Sequence, residues 1–239
     1  MQMRLLADHV DMAVAHSEFS RRQLQEAGYD VTRTIPFLFD SSKLDIPPDK
    51  AMTEKLGNDP IVLFTGRMAP NKAPDDFIRI AAAYASGDYT PARFVIAGKR
   101  DVLPPYTREL DELISSLELR PEQLLLTDEI SQAELNACYR KASLFLCLSR
   151  HEGFCVPLLE AMLQELPVLA LSRAAVPETL GDAGCLFDEP DPGHVAELVK
   201  NLLTDDELRN QLISRGRLRM DRYNLEQWGM VLRVLLEDL

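Results

Sequence analysis

The chain has 239 residues, with 26 basic and 38 acidic side chains and a formal net charge of −12. At 46% hydrophobic it can bury a sizeable core and lacks the composition of a disordered chain. The acid excess argues against a partner held by neutralising the phosphates of DNA or RNA, yet it leaves room for a small anion gripped by two or three placed cations. No run approaches the roughly 20 apolar residues that span a bilayer. The opening MQMRLLADHV lacks the apolar stretch of a secretory leader. Cys138, Cys147, Cys155 and Cys185 form no C-x-x-C pair and stand at no metal-binding spacing. They read as reduced thiols, which sets the expectation of a cytoplasmic protein. His9, His16, His151 and His194 are scattered, so neither a metal nor a cofactor is expected.

In chain order, DMAVAH (11–16) fits a strand, and residues 17–28 fit a helix capped by Ser17 and stopped by Gly28. Residues 34–40 are extended and DIPPD (45–49) is a proline-rich linker. From residue 60 strands and helices alternate. IVLFT (61–65) is a strand, and PDDFIRIAAAYA (74–85) a helix. ARFVIAG (92–98) is a second strand, followed by an amphipathic helix over 106–119 with Leu110, Leu113, Ile114 and Leu117 on one stripe. QLLLT (123–127) is the third strand. Ser131 and Glu134 form a capping box for the next helix. SLFLCLS (143–149) is nearly all apolar, as suits a strand buried on both faces of a parallel sheet. Pro157 opens a helix over 157–164; strands follow at 167–171 and 184–188, and helices at 193–204, 205–220 and 225–239. The alternation predicts an α/β fold, a Rossmann-like doubly wound parallel sheet with C-terminal helices. Ligands of such sheets bind beyond the carboxyl ends of the strands, which directs attention to the strand-to-helix loops.

Two loops there carry chemistry. After the first strand of the sheet, Gly66 permits close backbone approach, and Arg67 and Lys72 offer a guanidinium fork and a point charge suited to a diphosphate. Taken alone, the two cations are equally compatible with a solvated loop. After the strand 143–149 come Arg150-His151-Glu152-Gly153-Phe154-Cys155-Val156-Pro157. Gly153 allows a tight turn, and the helix that follows presents free amides and its positive dipole end to the crevice. Glu160 lies in the first turn of that helix, facing back toward the loop. Two carboxylates, Glu152 and Glu160, thus flank an anion site. A nucleotide sugar supplies matching groups: a diphosphate for the cations and amides, and hydroxyls for the carboxylates.

These residues resemble the group 1 (family four) retaining glycosyltransferases of GT-B architecture. Glu152-Gly153-Phe154-Cys155-Val156-Pro157-Leu158-Leu159-Glu160-Ala161 matches that family's E-x7-E motif, and Gly66-Arg67 with Lys72 matches its G-R-x-x-x-x-K loop. Pro167-Val168, Pro177-Glu178 and Gly181 to Gly184 match a downstream segment; residues 13–40 are similar to the stretch that closes the family's N-terminal domain. The resemblance implies the C-terminal, donor-binding half of a GT-B fold. It assigns Glu152, Arg67 and Lys72 to catalysis. It gives donor binding to Gly66, Arg67, Lys72, Gly153, Phe154, Cys155, Val156 and Glu160. Arg67 and Lys72 hold the diphosphate, Glu160 the ribose hydroxyls, and Glu152 the transferred sugar. The loops after Gly98 and Thr127 are expected to frame the base.

Two departures stand out. Cys155 occupies a usual glycine position, which predicts a side chain narrowing the sugar pocket. Arg173-Ala174-Ala175 replaces a small or glycine-rich turn. A Cys155–His151 dyad is the exotic alternative, without an evident third partner. The domain expectation is 1–50 as the remnant of an acceptor domain and its linker, 51–222 as the donor domain, and 223–239 as a crossing helix packed on residues 1–40 or supporting self-association. The partners expected are a nucleotide-diphosphate sugar as substrate and an acceptor that the sequence does not identify, without nucleic acid. The longer protein could attach peripherally to a membrane. A non-catalytic nucleotide-sugar module serving a partner subunit and a purely structural α/β domain are the competing readings.

Overall fold

The computed structural model describes residues 6–35, 37–100 and 103–223. The N-terminal segment holds strand β1 (Ala13–Ala15), helix α1 (Glu18–Glu26) and strand β2 (Thr32–Thr34), with β1 and β2 paired in parallel. Ser17 caps α1 as expected, its Oγ accepting from the Ser20 amide at 3.0 Å. β2 ends at Thr34, the first residue of the run read as extended, and Ser41–Asp45, just beyond that run, close into a 3-10 turn.

The linker region is anchored. Leu44 is buried, and the fully buried Asn136 donates to the carbonyls of Lys43 and Ile46, both at 2.8 Å. Its carbonyl oxygen accepts from Gln132 at 2.8 Å, so the amide is fully used. Helix α2 (Lys50–Leu56), unmarked by the sequence reading, follows; Asp49 caps it through the Met52 amide at 2.7 Å.

The main sheet has six parallel strands in the order β5-β4-β3-β6-β7-β8. They are β3 (Ile61–Thr65), β4 (Arg93–Ala97), β5 (Leu124–Leu126), β6 (Leu144–Cys147), β7 (Val168–Leu171) and β8 (Cys185–Phe187). All six lie within the strands expected from the sequence. The helices between them are α3 (Pro74–Ser86), α4 (Pro104–Ser116), α5 (Gln132–Lys141), α6 (Val156–Leu163) and α7 (Val176–Leu180), and α8 (Pro192–Thr204) and α9 (Asp206–Met220) follow β8. Ser131 and Glu134 make both halves of the predicted capping box on α5. The five-residue α7 carries no amphipathic repeat long enough to announce it. The expected crossing helix over 225–239 lies outside the described residues.

Alternation along the strands divides the core between two faces. Ile61 and Leu63 of β3 pack with residues of α2, α5, α6 and α7. Val62 and Phe64 point the other way, into residues of α3, α4 and α8. Phe39 and Leu44 enter the first of these cores, so the stretch before α2 is built into the domain wall.

The two Asn136 hydrogen bonds to the linker carbonyls yield a prediction. Asn136→Ala should destabilise the protein by about 2 kcal/mol, because it removes the donor shared by the Lys43 and Ile46 carbonyls and leaves a small void at a buried position. Urea unfolding should show a lowered midpoint with unchanged slope. An unaltered midpoint would mean that this amide does not hold residues 43–46 in place.

Candidate functional site

The strand order reverses between β3 and β6. β3 pairs with β4 on one side and β6 on the other, with Val62 opposite Leu144 and Leu63 opposite Phe145. The chain leaves β3 for α3 on one face of the sheet and leaves β6 for α6 on the other. Their two exit loops therefore separate at the carboxyl edge and open a crevice.

The β3 loop brings Gly66, Arg67 and Lys72 to this edge. The Gly66 and Gly98 turns are pressed together: a Cβ on Gly98 would lie 1.9 Å from the Gly66 carbonyl oxygen, so only glycine fits there. The aliphatic stem of Lys72 lies over Gly66, 3.7 Å from where a Cβ would stand. Arg67 is exposed, and its side chain makes no hydrogen bond or ion pair among the described residues. Gly66, Arg67, Gly98, Lys99, Ile130 and Glu160 all line one open cavity of about 300 Å³. The loops after β4 and β5 thus border it, through Lys99, Glu129 and Ile130. A Lys99–Glu129 ion pair at 3.0 Å spans its outer rim.

Lys72 and Glu152 are brought together more directly than the sequence suggests. The Lys72 Nζ donates to Glu152 Oε1, and the two side chains are only 16% and 14% exposed. Burial draws the Lys72 pKa down, but the Glu152 carboxylate more than offsets this, leaving it raised and the amine charged at neutral pH. The ammonium has two further protons to offer.

The helix after β6 starts one residue earlier than predicted, at Val156, so Pro157 is its second residue and Glu160 its fifth. Glu160 thus belongs to the second turn, a correction to its expected place. It still lies above Val156 on the same face, because side chains four apart stack and lean toward the helix start. Its Oε2 accepts a 2.7 Å hydrogen bond from Tyr139.

Cys155 is set apart by its backbone. It adopts the left-handed conformation, φ 75° and ψ 66°, where glycine would be least strained. Its side chain is buried, with Sγ 3.7 Å from Cys147 Sγ, and it lines a small cavity with Thr65, Lys72 and Pro157. The shared hydrogen bond with Cys147, together with burial, pushes the Cys155 thiol well above its usual pKa. His151 is exposed and packs edge-on against Phe19, ring centroids 5.8 Å apart. Nothing joins it to Cys155 as a dyad.

The loop Glu152–Cys155 is held from several sides. Ser17 and Ser20 donate to the Gly153 carbonyl at 2.6 and 3.1 Å. The Glu152 carbonyl accepts from the Ala175 amide at 3.2 Å, next to Ala174 with φ 53°. This gives the unusual Arg173-Ala174-Ala175 turn a role in bracing the loop. Phe154 is buried and stacks on Phe37, with ring centroids 5.0 Å apart. Glu178 accepts from the amides of Glu18 and Phe19 at 2.7 and 3.2 Å, at the start of α1.

Sequence reasoning missed Arg150 and Tyr139. Arg150 donates to Asp75 at 2.9 Å and Asp76 at 2.8 Å, and its amide donates to the Asn71 carbonyl at 2.8 Å. It staples the turn carrying Lys72 to the loop carrying Glu152. The adjacent acids of PDD were a usable signal for a cationic partner; Tyr139 stood in a helix read only for its caps. Among the described residues no cluster of three ligating side chains could hold a metal ion, and no helix is long and apolar enough to cross a membrane.

Comparison with known proteins decides the family. The profile of the "Glycosyl transferases group 1" family matches residues 45–219. The chain belongs to the group 1 glycosyl transferases. D-inositol 3-phosphate glycosyltransferase of Salinispora arenicola is 29% identical to this group 1 chain over 228 residues, covering 91% of it and 49% of the relative. 2-Deoxystreptamine N-acetyl-D-glucosaminyltransferase of Niallia circulans is 29% identical over 177 residues, covering 72% and 43%. The chain therefore spans about half the length of these relatives. Among solved structures, Anabaena Alr3699/HepE in complex with UDP and glucose superposes on all of this chain and 66% of its own, at a TM-score of 0.84 and 19% identity. The C-terminal domain of the group 1 family protein LpcC from Francisella tularensis matches 78% of this chain and 99% of its own, at a TM-score of 0.62 and 24% identity. The fold is thus the expected one, the Rossmann-like half of a GT-B glycosyltransferase.

The Lys72–Glu152 pair yields a second prediction. Lys72→Met alone leaves a half-buried carboxylate without its cation and should cost about 2 kcal/mol of stability. Adding Glu152→Gln should recover part of that loss, giving a coupling of about 1 kcal/mol in a double-mutant cycle by urea unfolding. Additive losses would show the pair to be energetically idle.

Proposed function

We propose that this chain is the nucleotide-sugar donor-binding half of a retaining, hexosyltransferase-type enzyme, which transfers a glycosyl group to an acceptor. The reading rests on one observation: Arg67 and Glu160 line one cavity at the strand-order reversal, with the Lys72–Glu152 pair beside it. Anabaena Alr3699/HepE, similar in fold, is known in complex with UDP and glucose and with UDP-glucose, which supports a nucleotide-diphosphate sugar as the substrate here.

In this reading Arg67, exposed and unpaired among the described residues, meets the diphosphate. Lys72 uses its remaining protons on a phosphate oxygen while keeping Glu152 in place. As the bond from sugar to phosphate breaks, negative charge grows on the departing nucleoside diphosphate; Arg67 and Lys72 stabilise that charge without a metal ion. The first amides of α6 assist, apart from Pro157, which has none. Glu160 accepts from the ribose hydroxyls. Glu152, fixed by Lys72, accepts from hydroxyls of the transferred sugar and orients its reacting carbon. The relatives are about twice as long, so the acceptor surface is proposed to come from the remainder of a GT-B enzyme, and this chain by itself is proposed to bind donor without completing transfer. All four cysteines are free thiols, which supports a reducing, cytoplasmic setting.

Thermal shift with UDP, GDP, ADP and their sugars tests this. A ligand at 100 times its Kd should stabilise by about 2.7 kcal/mol. Arg67→Ala should weaken binding of the responding nucleotide by about tenfold or more, the worth of a charge-assisted hydrogen bond. Glu160→Ala should also weaken it. The absence of a shift with every diphosphate would overturn the proposal.

A further inference from the structure

Tyr139 is fully buried in α5, and its ring stacks near Phe145 at 6.1 Å between centroids. Apolar packing accounts for the ring but not for the hydroxyl, which a phenylalanine would omit without loss of fit. That hydroxyl sits between two polar atoms beneath the crevice: Thr65 Oγ1 at 3.0 Å and Glu160 Oε2 at 2.7 Å. A phenol has a single proton, and a carboxylate can only accept, so the direction of the chain is fixed: Thr65 donates to Tyr139, and Tyr139 donates to Glu160. Burial and the neighbouring carboxylate push the Tyr139 pKa well up, keeping it the donor.

The consequence for Glu160 is specific. One oxygen is tethered from below by a neutral donor that cannot move without disturbing the core. The other has no hydrogen-bond partner among the described residues, on a side chain that lines the cavity. The tether restricts the carboxyl group's rotation and holds it ready to accept from a pair of adjacent hydroxyls. We propose that Tyr139, backed by Thr65, is the positioning residue for Glu160, and that selection of ribose over deoxyribose in the donor nucleotide depends on it. This rests on the reading of Glu160 as the ribose contact.

Calorimetry with the responding nucleoside diphosphate and its 2′,3′-dideoxy analogue tests it. The wild-type protein should prefer the ribose form by about tenfold or more, the loss expected from an unpaired buried carboxylate. Tyr139→Phe should bind the dideoxy analogue as the wild type does, but lose most of the preference. Thr65→Val, which removes only the outer hydroxyl, should reduce the preference in the same sense and serves if Tyr139→Phe does not fold. Glu160→Ala should abolish the preference, and adding Tyr139→Phe to it should change nothing further. An unaltered preference in both Tyr139→Phe and Thr65→Val overturns the proposal while leaving donor binding intact. So does an equal loss for both ligands, which marks a merely structural role. If the wild type binds neither ligand, the donor-site reading falls, and this proposal with it.

Discussion

The parallel pairing of β3 with β6 is the constraint on which the site depends. The strands are neighbours in space but about eighty residues apart in sequence, with Val62 opposite Leu144. Every other part of the crevice follows from this register. Because the chain leaves the two strands for opposite faces of the sheet, neither helix can cover the strand ends. A gap is left there, bordered by Gly66 on one side and the start of α6 on the other. A slip of one residue would turn Leu63 and Phe145 to the wrong faces, so the same apolar pattern that fills the core also aligns the loops.

Charge in the crevice is sorted rather than accumulated. A chain with net charge −12 has little general attraction for anions. The cations near the strand ends are distributed among distinct tasks. Arg150 is committed to Asp75 and Asp76, and Lys99 faces Glu129 at the rim. Lys72 is tied to Glu152. Arg67 alone of these four stands exposed without an ion pair among the described residues. The acid excess is therefore no obstacle to holding a diphosphate, because what matters locally is a few donors whose geometry other side chains fix.

Much of this was legible in the sequence because the relevant signals are local. Short apolar runs marked the strands, two of them closed by Gly66 and Gly98, and Ser17 and Ser131 marked helix starts through bonds made within three residues. Arg67, Lys72, Glu152 and Glu160 were legible through spacing and loop context. The misses have physical causes. α2 and α7 are too short for a stripe to repeat. Lys72 and Glu152 were assigned separate ligand groups because their contact spans eighty residues of sequence. Tyr139 and Asn136 looked like ordinary helix residues because their roles lie in contacts with distant parts of the chain, to Glu160 in one case and to Lys43 and Ile46 in the other.

The grip of the N-terminal segment on the back of the β6–α6 loop has a thermodynamic corollary. Ser17 and Ser20 hold the Gly153 carbonyl, Glu178 holds the first amides of α1, and Phe37 stacks on Phe154. The backbone that presents amides to the crevice is thus the same backbone that anchors α1. A ligand that tightens this loop tightens the hold on α1 by an equal free energy, and a force that lifts α1 away loosens the ligand by that amount. Under the proposed donor-binding role, filling the crevice and seating the N-terminal segment are linked through the backbone and ring of Gly153 and Phe154.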